Sequence, residues 1–192
     1  RNNFGGVQRY RNLPIFHEKM QEVSIRKTQK DPDVAPYLPD EIHRDPLLVK
    51  MDAKSTSLYR QISKELSEEL IEAQQLLGAN FSLLAHYGME HQPGSQADAM
   101  RGSIMSKITA LRMLCDHPAL LRKSANSSAY AKDLLDRGLL DDLKTSRKLD
   151  ALETYVKDHL DTDPEAKVVV FTTYVGMVSI IARLLGGVEY TG

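Results

Sequence analysis

The sequence predicts a helix-rich α/β protein, in which a helical region precedes a βαβ unit of a parallel sheet. Apolar residues recur every three or four positions over residues 53–77, as on one face of an amphipathic helix. Near the end of the chain, residues 167–172 form a short, continuous, β-branched run that is typical of a strand buried on both faces. Helical spacing over residues 175–185 and an extended run over residues 188–190 complete the strand–helix–strand order.

Capping and helix-breaking residues bound the helical region. Asp52 is placed to cap the first helix at its start, and Gly78 is placed to end it. Pro118 ends a second helix, because the residue before a proline disfavours the helical conformation. We expect that second helix over about residues 102–115, further helices over about residues 130–140 and from Ser146 to about residue 160, and a loop-rich insertion over residues 78–100.

The start of the chain is basic. The first 30 residues hold seven Lys and Arg against two Glu, although the whole chain has a net charge of −1. Such a segment can contact phosphates, and a solvated surface is the alternative. Pro32, Pro36 and Pro39 exclude a regular helix or a central strand between them, whereas residues 42–51 are expected to form a strand.

Composition narrows the class of protein. The single cysteine cannot form an internal disulfide, and no apolar run is long enough to span a membrane. We therefore expect an intracellular protein, in the cytoplasm, nucleoid or nucleus. The chain begins at Arg1, and one βαβ unit cannot cover both faces of its own sheet. Both observations favour an internal piece of a longer protein.

The sequence lacks a complete nucleotide site. No phosphate-binding G-x-x-x-x-G-K-[ST] loop occurs in it. Residues 40–43 spell the acidic D-E-x-H box of many helicases, but they follow a proline turn instead of a buried strand, so we reject a catalytic role for them. We expect neither a catalytic residue nor a metal site. Cys115 is predicted to be buried and inert, and His117 to brace a helix end through a hydrogen bond.

Four segments, in order along the chain, resemble the Swi/Snf-like family of helicase superfamily two. The most specific is the Leu-Arg-x-x-Cys-x-His-Pro-x-Leu-Leu pattern of residues 111–121, in which Asp116 stands where the family has Asn. The resemblance covers nearly the whole chain except residues 78–100. The other three segments are residues 24–31 with Val34 and Leu38-Pro39, Met51 with Leu58-Tyr59 but without the family's Gln, and residues 146–149 with residues 167–174.

This resemblance implies a RecA-like (P-loop NTPase type) fold and an ATP-dependent DNA helicase or translocase. Residues 1–50 would be the tail of the first RecA-like lobe, residues 51–145 a helical linker, and residues 146–192 the start of the second lobe. The intact parent would be a DNA-dependent ATPase that binds ATP and Mg. This chain alone would bind neither and would not hydrolyse ATP.

The implied partners are duplex DNA, held by its phosphates without sequence specificity, and the missing lobes of the same polypeptide, with no membrane. Hydroxyls at the end of a parallel strand and nearby cations can bind phosphate oxygens. For the hydroxyls, the alternative is that Thr172 merely ends a strand and Thr173 caps a helix. For Arg147 and Lys148, it is a solvated helix start, and for Arg26 it is an ion pair with a carboxylate. The rival function is a non-enzymatic helical protein-interaction module. The candidate DNA-binding residues are Thr172, Thr173, Tyr174, Arg147, Lys148, Arg26, Lys27 and Lys30.

Overall fold

The computed structural model describes residues 11–38, 42–78, 81 and 94–191. Its regular elements are helices, and the chain divides into two compact units, residues 1–46 and 47–192. The elements are α1 (Leu13–Val23), a 3-10 turn (Ala35–Tyr37), α2 (Ala53–Leu77), α3 (Gln96–Asp116), α4 (Pro118–Ser124), α5 (Ala129–Asp136), α6 (Arg147–Thr162) and α7 (Val175–Leu185).

The predicted α/β class is wrong, because no β-strand is present in the part of the chain that the structure describes. Residues 167–172 form no ladder with residues 188–190 or with the predicted strand at 42–51. Val169 is 73% exposed and Phe171 is 92% exposed, which contradicts a strand buried on both faces. A β-branched composition favours a strand only where a neighbouring strand supplies hydrogen bonds and cover. The RecA-like parallel sheet with its βαβ unit is therefore absent from the described structure.

The two long helices follow their sequence signals. Asp52 caps α2 by accepting a hydrogen bond from the Ser55 amide at 2.9 Å, and Gly78 ends the helix with a φ of 83°. Ser95 caps α3 by accepting from the Asp98 amide at 3.1 Å, so this helix begins six residues before the predicted start at residue 102. Residues 79–80 and 82–93 of the predicted insertion lie outside the described residues.

Of the three shorter helices that follow, α4 and α5 begin at a side-chain cap and α6 does not. Pro118 occupies the first turn of α4, where its missing N–H leaves no bond unmade. Ser128 caps α5 by accepting from the Ala131 amide at 3.3 Å. Ser146 precedes α6 as predicted, but its hydroxyl makes no bond to the helix that it begins. Gly186 ends α7 with a left-handed φ of 67°, which only a glycine adopts without strain.

One hydrophobic core holds α2, α3, α4 and α5 together. Ile62 of α2 is completely buried there, and it belongs to the same apolar stripe that the sequence predicts. Residues after α5 complete the cluster, so the turn before α6 is fixed as well. The core consists of Leu58, Ile62, Ala110, Leu114, Leu121, Leu134, Leu140 and Leu143.

The first unit has a different character, because none of the residues of α1 is buried. After α1, Thr28 donates two hydrogen bonds to the Asp31 carboxylate, from its amide at 2.8 Å and from its hydroxyl at 2.9 Å. These two bonds, with a smaller contribution from the charge of Arg26, lower the pKa of Asp31. Lys27 forms an ion pair with Asp33. Asp40 and Glu41 of the rejected acidic box lie outside the described residues.

No helix in the described ranges is long and apolar enough to cross a membrane.

Candidate nucleic-acid interface

Two adjoining depressions share Cys115 and together form what we call the basic groove. One depression, of about 300 Å³, lies between residues 47–52 and the start of α6. The other, of about 330 Å³, lies between α2, α3 and the segment before α7. The polar and charged residues that line the groove are Lys50, Asp52, Ser55, Tyr59, Arg112, Cys115, Asp116, Thr145, Ser146, Arg147, Lys148 and Thr173.

The end of α3 and the start of α6 are joined at this groove. The Ser146 hydroxyl donates to the backbone carbonyl of Asp116 at 2.7 Å. The Lys148 ammonium donates to the Asp116 carboxylate, with 2.5 Å between Nζ and Oδ1. These bonds explain why Ser146 does not cap its own helix. They also connect two of the segments that carry the family resemblance, residues 111–121 and 146–149.

The groove carries more positive than negative charge. Its cations are Lys50, Arg112, Arg147 and Lys148, and its carboxylates are Asp52 and Asp116. Asp52 is engaged at the start of α2, where the hydrogen bonds from Ser55 lower the pKa of its carboxyl group. An excess of cations beside hydroxyls suits the binding of phosphate oxygens.

Three of the residues predicted from the sequence line this groove. Arg147 and Lys148 lie in the depression beside residues 47–52, and Thr173 lies in the one beside Arg112. The two depressions share Cys115 and are joined by the ion pair between Lys148 and Asp116. Lys148 is not simply solvated, because it is held by Asp116.

The other predicted residues are not among those that line the groove. Thr172 is half-buried and lines a separate apolar cavity between α6 and α7. Tyr174 is the N-cap residue of α7, and its carbonyl accepts the amide of Met177 at 2.8 Å. Arg26, Lys27 and Lys30 belong to the first compact unit, residues 1–46. In that unit Lys27 is engaged with Asp33.

Two cations of the groove were not predicted from the sequence. Arg112 lies within the most specific segment of the resemblance, four residues before Asp116 on the same face of α3. That spacing is the signal that could have identified it. Lys50 lies in a segment predicted as a strand, and only the folded chain brings it beside α6.

Cys115 lines the groove, and His117 follows it two residues later in the chain. Cys115 is exposed, so the prediction that it is buried is wrong. Desolvation of its thiol, and then the charge of Asp116, raise its pKa, which disfavours the reactive thiolate at neutral pH. His117 is buried and caps α4, with Nδ1 accepting the amide of Ala119 at 3.0 Å. A side-chain hydrogen bond of His117 is predicted at the end of the preceding helix, but the structure places it at the start of α4. Burial, followed by the charge of Arg122, lowers the pKa of His117 and keeps it neutral.

Within residues 11–38, 42–78, 81 and 94–191, no group of three or more His, Cys, Asp or Glu side chains is arranged to hold a metal ion. The described part of the chain is helical and has a surface depression in which cations outnumber carboxylates. Comparison of the chain with protein-family models, with curated proteins and with solved structures finds no match.

Proposed function

We propose that this chain is part of an ATP-dependent DNA translocase of the Swi/Snf-like type, in which the basic groove contacts the phosphates of duplex DNA. ATP and Mg would bind elsewhere in the intact parent, where hydrolysis would drive movement along the duplex. This chain would supply helices between the motor lobes and part of the phosphate-contacting surface. It would bind DNA without hydrolysing ATP.

The observation that carries the proposal is the meeting of three motif segments at one groove. Three of the four segments that resemble the Swi/Snf-like family each contribute a polar or charged side chain to the basic groove: Met51 with Leu58-Tyr59, residues 111–121, and residues 146–149 with residues 167–174. Such contacts to phosphate position a duplex without reading its sequence. They suit a motor that must advance over any sequence.

The test is a titration of a labelled duplex with the chain, read by fluorescence anisotropy over a series of salt concentrations. We expect the logarithm of the association constant to fall linearly with the logarithm of salt concentration, with a slope of about −0.9 per neutralised phosphate. Arg112→Gln and Arg147→Gln should each reduce the steepness of that slope by about 0.9. Two duplexes of unrelated sequence should bind alike.

Lys132→Gln is the matched control, because Lys132 is an exposed lysine of α5 that pairs with Asp136 and does not line the groove. It removes the same charge and should leave the slope unchanged. Binding that is absent, or that responds equally to all three substitutions, would contradict a phosphate-contacting role for the groove.

A non-enzymatic helical interaction module is the second candidate, and the apolar cavity between α6 and α7 favours it. This cavity has a volume of about 550 Å³ and is lined by the exposed side chains of Phe171, Val188 and Tyr190. Exposed apolar surface of this kind is typical of protein interaction sites. If the chain shows no salt-dependent affinity for DNA, this second function becomes the better explanation.

A further inference from the structure

One of the four cations of the basic groove, Lys148, is already paired with a carboxylate, that of Asp116. The Lys148 side chain is 61% exposed, whereas that of Asp116 is only 19% exposed. The carboxylate thus lies within the groove, and the lysine reaches it from the solvent side. A phosphate that approaches Lys148 must compete with a carboxylate that already holds it.

Asp116 is fixed more firmly than its partner. It is the last residue of α3, and its backbone carbonyl accepts the hydroxyl of Ser146. Lys148 has a long flexible stem and can turn from the carboxylate to a phosphate. Because the lysine side of the pair is open to solvent, salt screens the interaction in part, and phosphate can compete with the carboxylate for the ammonium group.

The position of Asp116 gives the helix no electrostatic benefit. The carboxyl end of a helix carries a partial negative charge, so a carboxylate there is unfavourable to the helix dipole. The carboxylate also lies in the same depression as Arg112, the cation four residues before it. It therefore opposes the positive potential of the groove as a whole, besides holding Lys148.

We propose that Asp116 lowers the affinity of the basic groove for duplex DNA by competing with phosphate for Lys148. This inference rests on the proposed function of the groove. Weakened binding suits a surface that must release one phosphate and take the next. Asp116 thereby sets how tightly this surface holds the duplex.

The experiment uses the full chain, a labelled duplex and the variant Asp116→Asn, which keeps the size of the side chain and removes its charge. We expect a Kd about three- to tenfold lower than that of the unmodified chain near physiological salt. The salt dependence should become steeper by about 0.9, because one further cation is available to phosphate. Thermal unfolding of each variant verifies that it is folded.

A second variant separates competition for Lys148 from a general change of charge. In a Lys148→Gln background, Asp116→Asn should lose most of its effect. Lys148→Gln alone should weaken binding less than Arg147→Gln, since Lys148 is already engaged and Arg147 is not paired with any carboxylate in the described ranges. An equal gain with and without Lys148 would overturn the competition.

Asp142→Asn is the control, because it removes the same charge from an exposed carboxylate that pairs with Lys54 at 2.8 Å outside the groove. It should leave the affinity and the salt slope unchanged. If the unmodified chain binds DNA with a normal salt dependence and Asp116→Asn binds no tighter, only this inference fails. If neither binds, the proposed function fails with it. Binding that is detected only after Asp116→Asn supports both.

Discussion

At the scale of single residues, Glu65 of α2 shows how a half-buried carboxylate ties separate helices together. It accepts a hydrogen bond from the Tyr130 hydroxyl at 2.6 Å, from Gln61 at 3.2 Å and from Arg137 at 3.3 Å. Burial pushes the pKa of Glu65 upward, but the hydrogen bonds from Tyr130, Gln61 and Arg137 outweigh it and leave the pKa lowered. Burial and the bond to Glu65 raise the pKa of Tyr130. At neutral pH Glu65 is therefore ionised and the Tyr130 hydroxyl keeps its proton.

Glu65→Gln should therefore destabilise the chain in a pH-dependent way. Folding lowers the pKa of Glu65 below its ordinary value of 4.5, so its stabilising effect is complete above about pH 5 and is lost as the pH falls through the lowered value. At neutral pH we expect a loss of about 1–2 kcal/mol in the free energy of unfolding, because charged hydrogen bonds are removed from a partly buried site. Urea unfolding from about pH 7 to about pH 3 measures it.

The difference between Glu65→Gln and the unmodified chain should shrink as the solution is acidified. Glu68→Gln, on the same helix, is the control. The Glu68 side chain is exposed, and its ion pair with Lys64 is long, at 3.8 Å, so removing its charge should have little effect on stability at any pH. If the difference in the free energy of unfolding between Glu65→Gln and the unmodified chain did not change with pH, the carboxylate charge would not be what stabilises the site.

Side-chain hydrogen bonds between neighbours in sequence can be predicted from the sequence, whereas those between distant residues cannot. A side-chain hydrogen bond of His117 is predicted because it stands before Pro118, where a helix must end, but the structure shows that its side chain caps the start of α4 instead. Glu65 and Tyr130 are 65 positions apart, so no local spacing announces their hydrogen bond. Cys115 was predicted to be buried because it shares a helical face with apolar residues, but that edge of α3 lines the open groove.

At the scale of elements, helices were far more predictable than strands. The bounds of α2 and α7 follow from spacing and caps within the segment itself, since a helix satisfies its own backbone. A strand depends on a neighbour, and none is present in the described residues beside 167–172. The composition of that segment therefore predicts a sheet that is absent from the described residues.

Two helical glycines allow a test of how closely α7 contacts α4. A Cβ added at Gly176 would lie 3.0 Å from Cδ2 of the buried Leu120, whereas a Cβ at Gly102 in α3 would have no neighbour within 4 Å. Gly102→Ala should stabilise the chain by about 0.5–1 kcal/mol, because alanine is the better helix former. Gly176→Ala should destabilise it by about 1 kcal/mol, because Leu120 must move within a packed site.

Chemical denaturation of the two variants under identical conditions measures this contrast. The two substitutions add the same methyl group to a helix, so Gly102→Ala controls for helix propensity. If Gly176→Ala stabilised the chain as much as Gly102→Ala, the close approach of α7 to Leu120 would be refuted.

At the scale of the whole molecule, the function remains a proposal that rests on the motif segments and on the groove where they meet. The sequence placed Arg147, Lys148 and Thr173 among the candidates, and folding brings them together with Arg112 and Lys50. The sequence does not predict that Lys50 lies beside the start of α6, because that proximity depends on tertiary packing and not on local spacing. The predicted division into parts of two motor lobes likewise remains a prediction.

The core of the second unit is shared by every helix from α2 to α5, so these four helices should unfold in one cooperative transition. Ile62 is 0% exposed at the centre of that core. Ile62→Ala should reduce the free energy of unfolding by about 2–5 kcal/mol, because it removes buried methyl groups and leaves a cavity. Ile71→Ala, on the same helix at a position 56% exposed, should cost less than about 1 kcal/mol.

Circular dichroism and tyrosine fluorescence should give coincident unfolding curves, shifted together by Ile62→Ala. Unfolding curves that Ile62→Ala does not shift would mean that α2–α5 do not share a single core around Ile62.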